Sequence, residues 1–145
     1  MKIYEFNAAE SSNSWKAEPK FQSFGYDMIT YTEGVVLFND NKNKAYLNTF
    51  FMEFIIEVEL MLRRRCGLDS FESNVSLQHS GDSIFFKKTA DTLEVRINGI
   101  DVEIEYAWSD FIDLFIQLKK SVRLKFKRHY PNLYKFKEVE FLLLG

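Results

Sequence analysis

The chain has one cysteine, two prolines, six glycines and two histidines among its 145 residues. A lone thiol, Cys66, closes no internal disulfide, which excludes a small secreted scaffold held together by bridges. Scarce, scattered proline and glycine exclude collagen-like and low-complexity classes and leave no linker to divide the chain. Long apolar runs are missing too. Stretches such as Phe141–Leu144 fall far short of the about 20 residues that span a bilayer. The opening MKIYEFNAAESSNSWK carries Glu5 and no apolar core, unlike a secretory signal. The expectation is one soluble domain over residues 1–145, cytoplasmic and away from membranes.

What the sequence does have is apolar bulk. Leucine, isoleucine, valine and phenylalanine together make up about a third of the chain, well above the roughly 20% below which chains tend to disorder. Their spacing predicts elements. Apolar residues at 47, 50, 51, 54, 55, 58, 61 and 62 follow the i, i+3, i+4, i+7 series of a helix over 47–65. Asn48 or Thr49 would cap its start, Gly67 lies just past its end, and Arg63, Arg64 and Arg65 suit its C-terminal dipole. A second helix is expected from Ser109 or Asp110 to Pro131, with Trp108, Phe111, Phe115, Leu118, Val122 and Phe126 as its core stripe. From Val122 onward the residues also alternate with period two, which offers a strand beyond Ser121; continuous helical spacing through Phe126 favours the helix.

Strands are expected near 74–79, 84–89, 93–97 and 100–106. The last two flank Asn98-Gly99, read as a two-residue type I′ hairpin turn that sets Arg96 opposite Asp101 and Glu94 opposite Glu103. Lys2–Phe6 reads as an edge strand, Asn7–Lys20 as loop, and Tyr26–Tyr31 with Val35–Phe38 as a hairpin around Thr32-Glu33-Gly34. Asn39–Asn43 is a polar turn, and Glu138–Leu144 a closing strand or docked tail. The fold class is therefore α+β: an antiparallel sheet of four to six strands with two amphipathic helices packed on one face. Phe50, Phe54, Val58, Leu62, Val95, Val102, Phe111, Phe115 and Val122 are expected in the core.

Chemical motifs are sparse. Gln78-His79-Ser80-Gly81-Asp82-Ser83 sets His, Ser and Asp side by side, but triads assemble from separate elements, and a hairpin loop explains six contiguous residues better. Cys66 follows three arginines yet sits at a helix C-terminus, whose partial negative charge opposes thiolate formation. Asn39–Asn43 fails the calcium-loop pattern, with Lys44 at the sixth position and Phe50 at the twelfth. Two separated histidines and one cysteine make no zinc motif. The sequence thus predicts no catalytic residues, no metal, no cofactor and no enzyme activity. The rival is a small enzyme whose site folding assembles from His79, Asp82 or Cys66.

Charge is distributed unevenly. Residues 1–118 carry 11 basic against 19 acidic side chains, whereas residues 119–137 carry eight basic and no acidic ones. Lys119, Lys120, Arg123, Lys127 and Arg128, interleaved with aromatic rings, offer an alternative reading as a nucleic-acid-binding patch. The acidic pI of 5.7 argues against it, as does the affinity of such a cluster for a helix C-terminus. On the predicted 93–106 hairpin, Glu94, Asp101, Glu103 and Glu105 project from one side, since alternate residues of a strand share a face.

A compact α+β domain with the Tyr26–Phe38 hairpin, the Leu47–Arg65 helix, the acidic Leu93–Tyr106 hairpin and a helix opening at Trp108-Ser109-Asp110 resembles the immunity proteins of bacterial toxin–immunity pairs. The resemblance is architectural and rests on no signature motif. It implies an inhibitor that binds one cognate toxin domain, often a nuclease, inside the cell that makes it. A nuclease presents a basic cleft, which the acidic residues Glu94, Asp101, Glu103 and Glu105 would mask.

Overall fold

The computed structural model describes residues 5–9, as backbone, and 33–135. The chain forms β1 (Glu5–Ala9), β2 (Glu33–Asn39), β3 (Lys44–Phe50), α1 (Phe51–Arg64), β4 (Ser70–Leu77), β5 (Asp82–Thr89), β6 (Thr92–Ile97), β7 (Glu103–Ala107) and α2 (Trp108–His129), then a 3-10 turn at Leu133–Lys135. The class is α+β, and every strand pair is antiparallel. The strands fall into two sheets, ordered β1-β2-β3 and β4-β5-β6-β7.

Along β4 to β7, one face is buried and mostly apolar, with Phe71, Val75, Leu77, Ile84, Phe86, Leu93, Val95, Ile97, Ile104 and Tyr106, and Lys88 lies between Phe71 and Leu93 with its Nζ donating to the Leu68 and Asp69 carbonyls. The helices close over this face, α1 against β4 and α2 against β6, β7 and β1. Phe111 centres the aromatic packing, within about 6 Å of Phe86 and Tyr106 between ring centroids (5.9 and 5.7 Å). One apolar cluster runs continuously from β2 to Tyr130.

Helix α1 starts at Phe51 and not at Leu47. Leu47 satisfies both periods, but Ala45, Leu47 and Thr49 are buried while Tyr46 and Asn48 are exposed, and all seven residues of β3 pair with β2. The Asn39–Asn43 turn closes that hairpin, so pairing holds residues 44–50 extended. The cap position is Phe50, with no side-chain cap from Asn48 or Thr49. Val35–Phe38 lies within β2, and Glu5–Ala9 pairs along its other side, so residues 7–9 of the expected loop are strand. Tyr26–Tyr31 and Glu138–Leu144 lie outside the described residues.

Helix α2 runs unbroken through Ser121 to His129. The two periods separate at Leu124: period two would bury it with Val122 and Phe126, yet it is 62% exposed while both of those are buried. Pro131 disfavours helical geometry in the residue before it, and the helix stops there. Of the expected core, Phe54, Val58, Val95, Phe111, Phe115 and Val122 are fully buried, and Phe50, Leu62 and Val102 are partly covered.

Candidate functional site

The outer face of the four-stranded sheet carries the acidic residues. Two rows cross it: Glu72, Lys87, Glu94 and Glu105, then Asn74, Phe85, Arg96 and Glu103. The β6–β7 register differs from the one expected, because Arg96 faces Glu103 and Glu94 faces Glu105. A type I′ turn needs positive φ at both central residues. Only Gly99 has it, at 85°, so Asn98-Gly99 forms a turn within a longer loop that also holds Ile100 and Asp101. The shift is two residues, so the expected face is kept. Asp101 is exposed in the loop, beside a cleft with Asn74, Phe85 and Arg96, and Ile100 is exposed rather than core-facing.

Glu94, Glu103 and Glu105 instead line a cleft of about 180 Å³ with Asp40, Lys42 and Asn43. Arg96 Nε lies 3.4 Å from Glu103, in a half-exposed pair that partly offsets one charge. Glu94 and Glu105 face each other as like charges on adjacent strands, an arrangement that costs stability.

Asp40 fixes the cleft's wall. Its Oδ1 accepts the backbone N–H of Lys42 at 2.9 Å and of Asn43 at 2.7 Å, and its Oδ2 accepts that of Glu105 at 3.0 Å. Asn43 Nδ2 donates to the Glu103 carbonyl, and Asn39 N–H to the Tyr106 hydroxyl, so the β2–β3 turn is tied along β7. Burial alone would raise the Asp40 carboxyl, but the N–H donors of Asn43, Glu105 and Lys42 outweigh it and hold its pKa below the ordinary 3.8.

Of the basic residues of α2, Lys119 is turned inward and the others are not. Lys119 is 3% exposed; its Nζ donates to Glu59 Oε2 at 3.1 Å and lies over the Phe115 ring. A charge spent inside the fold is withdrawn from any phosphate. Lys120, Lys127 and Arg128 are exposed and Arg123 is partly so, with the Lys127 ammonium over Tyr134.

His79 lies in the tip between β4 and β5, where Gly81 N–H closes onto the Leu77 carbonyl at 2.8 Å, as a hairpin loop requires. Its Nδ1 contacts the carboxylate of Glu53, a buried residue in the first turn of α1. Glu53 also accepts the backbone N–H of His79 at 2.9 Å and of Ser80 at 3.4 Å. Ser80 Oγ donates to the Leu77 carbonyl at 3.4 Å and accepts from Thr49 Oγ1 at 3.3 Å. Asp82 pairs with Leu77 at the start of β5, and Cys66 is exposed after α1; neither lines the cleft beside His79. No cluster of His, Cys, Asp or Glu among the described residues is placed to hold a metal ion.

No family model, curated protein or solved structure matches the chain.

Two residues of these sites escape a reading of motifs. Glu53 is a single acid inside the run Phe50–Ile56, and a charge on the buried side of a helical stripe is the signal that would mark it. Asp40 is hidden in an ordinary turn sequence; its reach to β7 depends on tertiary contact.

Proposed function

We propose that this chain is a protein-binding inhibitor, an immunity protein that neutralises a cognate toxin, such as a nuclease, in the cytoplasm of the cell that makes both. The observation that carries this reading is the Glu94–Glu105 pair on the open sheet face, with Glu103 beside them and Asp40 anchoring the cleft wall. Like charges held on adjacent strands repel, and a lysine or arginine of a basic partner relieves that repulsion on binding. The face then works as an electrostatic guide, raising the encounter rate with a cationic surface and disfavouring acidic ones. Asp101, displaced into the β6–β7 loop, belongs to the rim of this surface.

Glu105→Lys tests the reading. It places opposite charges across β6 and β7, so the fold is kept while the face loses its acidic centre. Immobilised wild type should retain a basic protein from the source cells and inhibit its activity after elution; the variant should not retain it. Equal retention by both proteins would reject the acidic face, and retention of no basic protein by wild type would reject the inhibitor itself.

A further inference from the structure

The two edges of the four-stranded sheet differ. β7 is covered by the β2–β3 turn, with Asp40 accepting the Glu105 N–H and Asn43 donating to the Glu103 carbonyl. At the other edge, β4 pairs only with β5 among the described residues. Edge strands are commonly blunted by lysine, proline or a bulge. Ser70–Leu77 has no lysine or proline, and all 8 residues pair with β5 in unbroken register, so no bulge turns the edge away. Helix α1 packs on β4 and runs antiparallel to it: Glu53 near its start meets the His79 N–H beyond the end of β4, and Arg64 at its end precedes β4. One flank of α1 faces α2, where Glu59 accepts from Lys119. The opposite flank carries Glu57, Leu60 and Arg64, and with Met61, Ser73 and Asn74 it lines a cleft of about 270 Å³ along the β4 edge. Leu60 is 39% exposed there, and neither Glu57 nor Arg64 forms an ion pair with a described residue.

We propose that β4 and this flank of α1 join a second copy of the chain in a two-fold dimer. In it β4 pairs antiparallel with β4 of the other copy, and the two α1 helices lie side by side above the seam. The order of charges decides the occupant. Along α1 the flank reads acid, apolar, base: Glu57, then Leu60 beside Met61, then Arg64. A two-fold axis normal to the sheet sets the identical helix antiparallel, so that order meets its own reverse. Glu57 faces Arg64 of the other copy, Arg64 faces Glu57, and the Leu60 side chains meet at the centre. The spacings agree, because strands pair about 4.8 Å apart and helices pack about 8–10 Å apart, so one axis just outside β4 serves both layers. With that axis at Ser73 or Asn74, Glu72 lies opposite Asn74 or Ser76 of the other copy, and no like charges are set opposite one another along the strands. Any extended segment can pair with a strand edge, but a second copy also answers the charges on α1. The dimer continues the sheet, and β5 separates its seam from the acidic residues of β6 and β7.

Sedimentation equilibrium of the full chain, from low to high micromolar concentration, is the test. The expected result is a reversible rise from the 17.2 kDa of one chain to twice that mass. Glu57→Arg and Arg64→Glu each set like charges together at both symmetric contacts, so each alone should weaken the dimer about tenfold or more. An equimolar mixture of the two variants should associate as strongly as wild type, because a mixed pair restores acid against base at both contacts. A variant that had lost its fold would not be rescued by mixing, and a wild-type chain that stays monomeric at high micromolar concentration overturns the dimer without any variant. A dimer that both variants keep, or variants whose mixture stays monomeric, would overturn this seam. Glu105→Lys should leave the dimer unchanged. The inhibitor reading rests on β6 and β7, so a monomer that still retains its basic partner leaves that reading standing, and a dimer that retains none rejects it alone.

Discussion

Replacing Asp40 by asparagine separates a charged tie from a generic polar turn. The asparagine oxygen can stay at the Oδ1 position and accept from Lys42 and Asn43. Its NH₂ then occupies the Oδ2 position and meets the Glu105 N–H, donor against donor. One charge-assisted bond is lost, and a poorly solvated N–H on β7 is left unpaired. Each hydrogen bond to a charged group contributes about 1.5–3 kcal/mol, so Asp40→Asn should cost about 2–3 kcal/mol at neutral pH. Asp40→Ala removes all three acceptors, but Lys42 and Asn43 are exposed and water replaces part of that loss. About 3–4 kcal/mol is expected there.

Urea titration of the three proteins from neutral pH down to pH 2 is the assay. Because the folded Asp40 pKa is depressed, its contribution is complete above the unfolded value of 3.8 and is lost as pH falls through the lower folded value. The gap between wild type and Asp40→Asn should therefore narrow only in that acid window. A gap under about 0.5 kcal/mol at neutral pH, the scale of an ordinary surface substitution, would refute the reasoning. So would a gap that persists unchanged at pH 2.

Other substitutions test the packing around the two faces. Gly34→Ala places a Cβ 2.0 Å from Phe51 Cζ, so urea unfolding should show about 1–3 kcal/mol of overpacking, partly recovered by adding Phe51→Leu. Lys119→Met should change stability by less than about 1 kcal/mol, since an apolar residue of similar volume replaces a buried pair. Glu59→Ala should cost about 3 kcal/mol by leaving the ammonium unpaired, both read from urea midpoints. If Lys119 served phosphate instead, Lys119→Met would weaken nucleic-acid binding in a filter or polarisation assay and leave the Glu59 effect unexplained. Glu105→Lys should raise the isolated protein's stability by about 0.2–1 kcal/mol, measured the same way, because it turns a like-charge cross-strand pair into an opposite one.

Periodicity made most of the fold legible. The stripe from Phe111 to Phe126 names one face of α2, and Leu93, Val95 and Ile97 name one face of β6, because burial selects side chains at the period of the element. Element ends were less legible. Leu47 fits a helix and a strand equally, and only its pairing with Val36 decides between them. At Asn98-Gly99 the turn residues were visible, but two residues of loop length were not, since Ile100 and Val102 resemble strand residues by composition. The acidic side of the 93–106 hairpin survived that error, as a shift of two preserves which face a residue takes. Glu53 and His79 are 26 residues apart, and no local pattern brings them together. Their meeting depends on α1 packing beside the β4–β5 tip, which is a tertiary fact.

The association rate between this chain and its basic partner, followed by stopped flow at increasing ionic strength, tests the central claim most directly. At about 0.1 M salt the screening length is about 10 Å, so steering by an exposed acidic face fades across the accessible range. The account predicts a wild-type rate that falls steeply with salt and a Glu105→Lys rate that is slower at low salt and nearly flat. Rates that coincide at every salt concentration would contradict it.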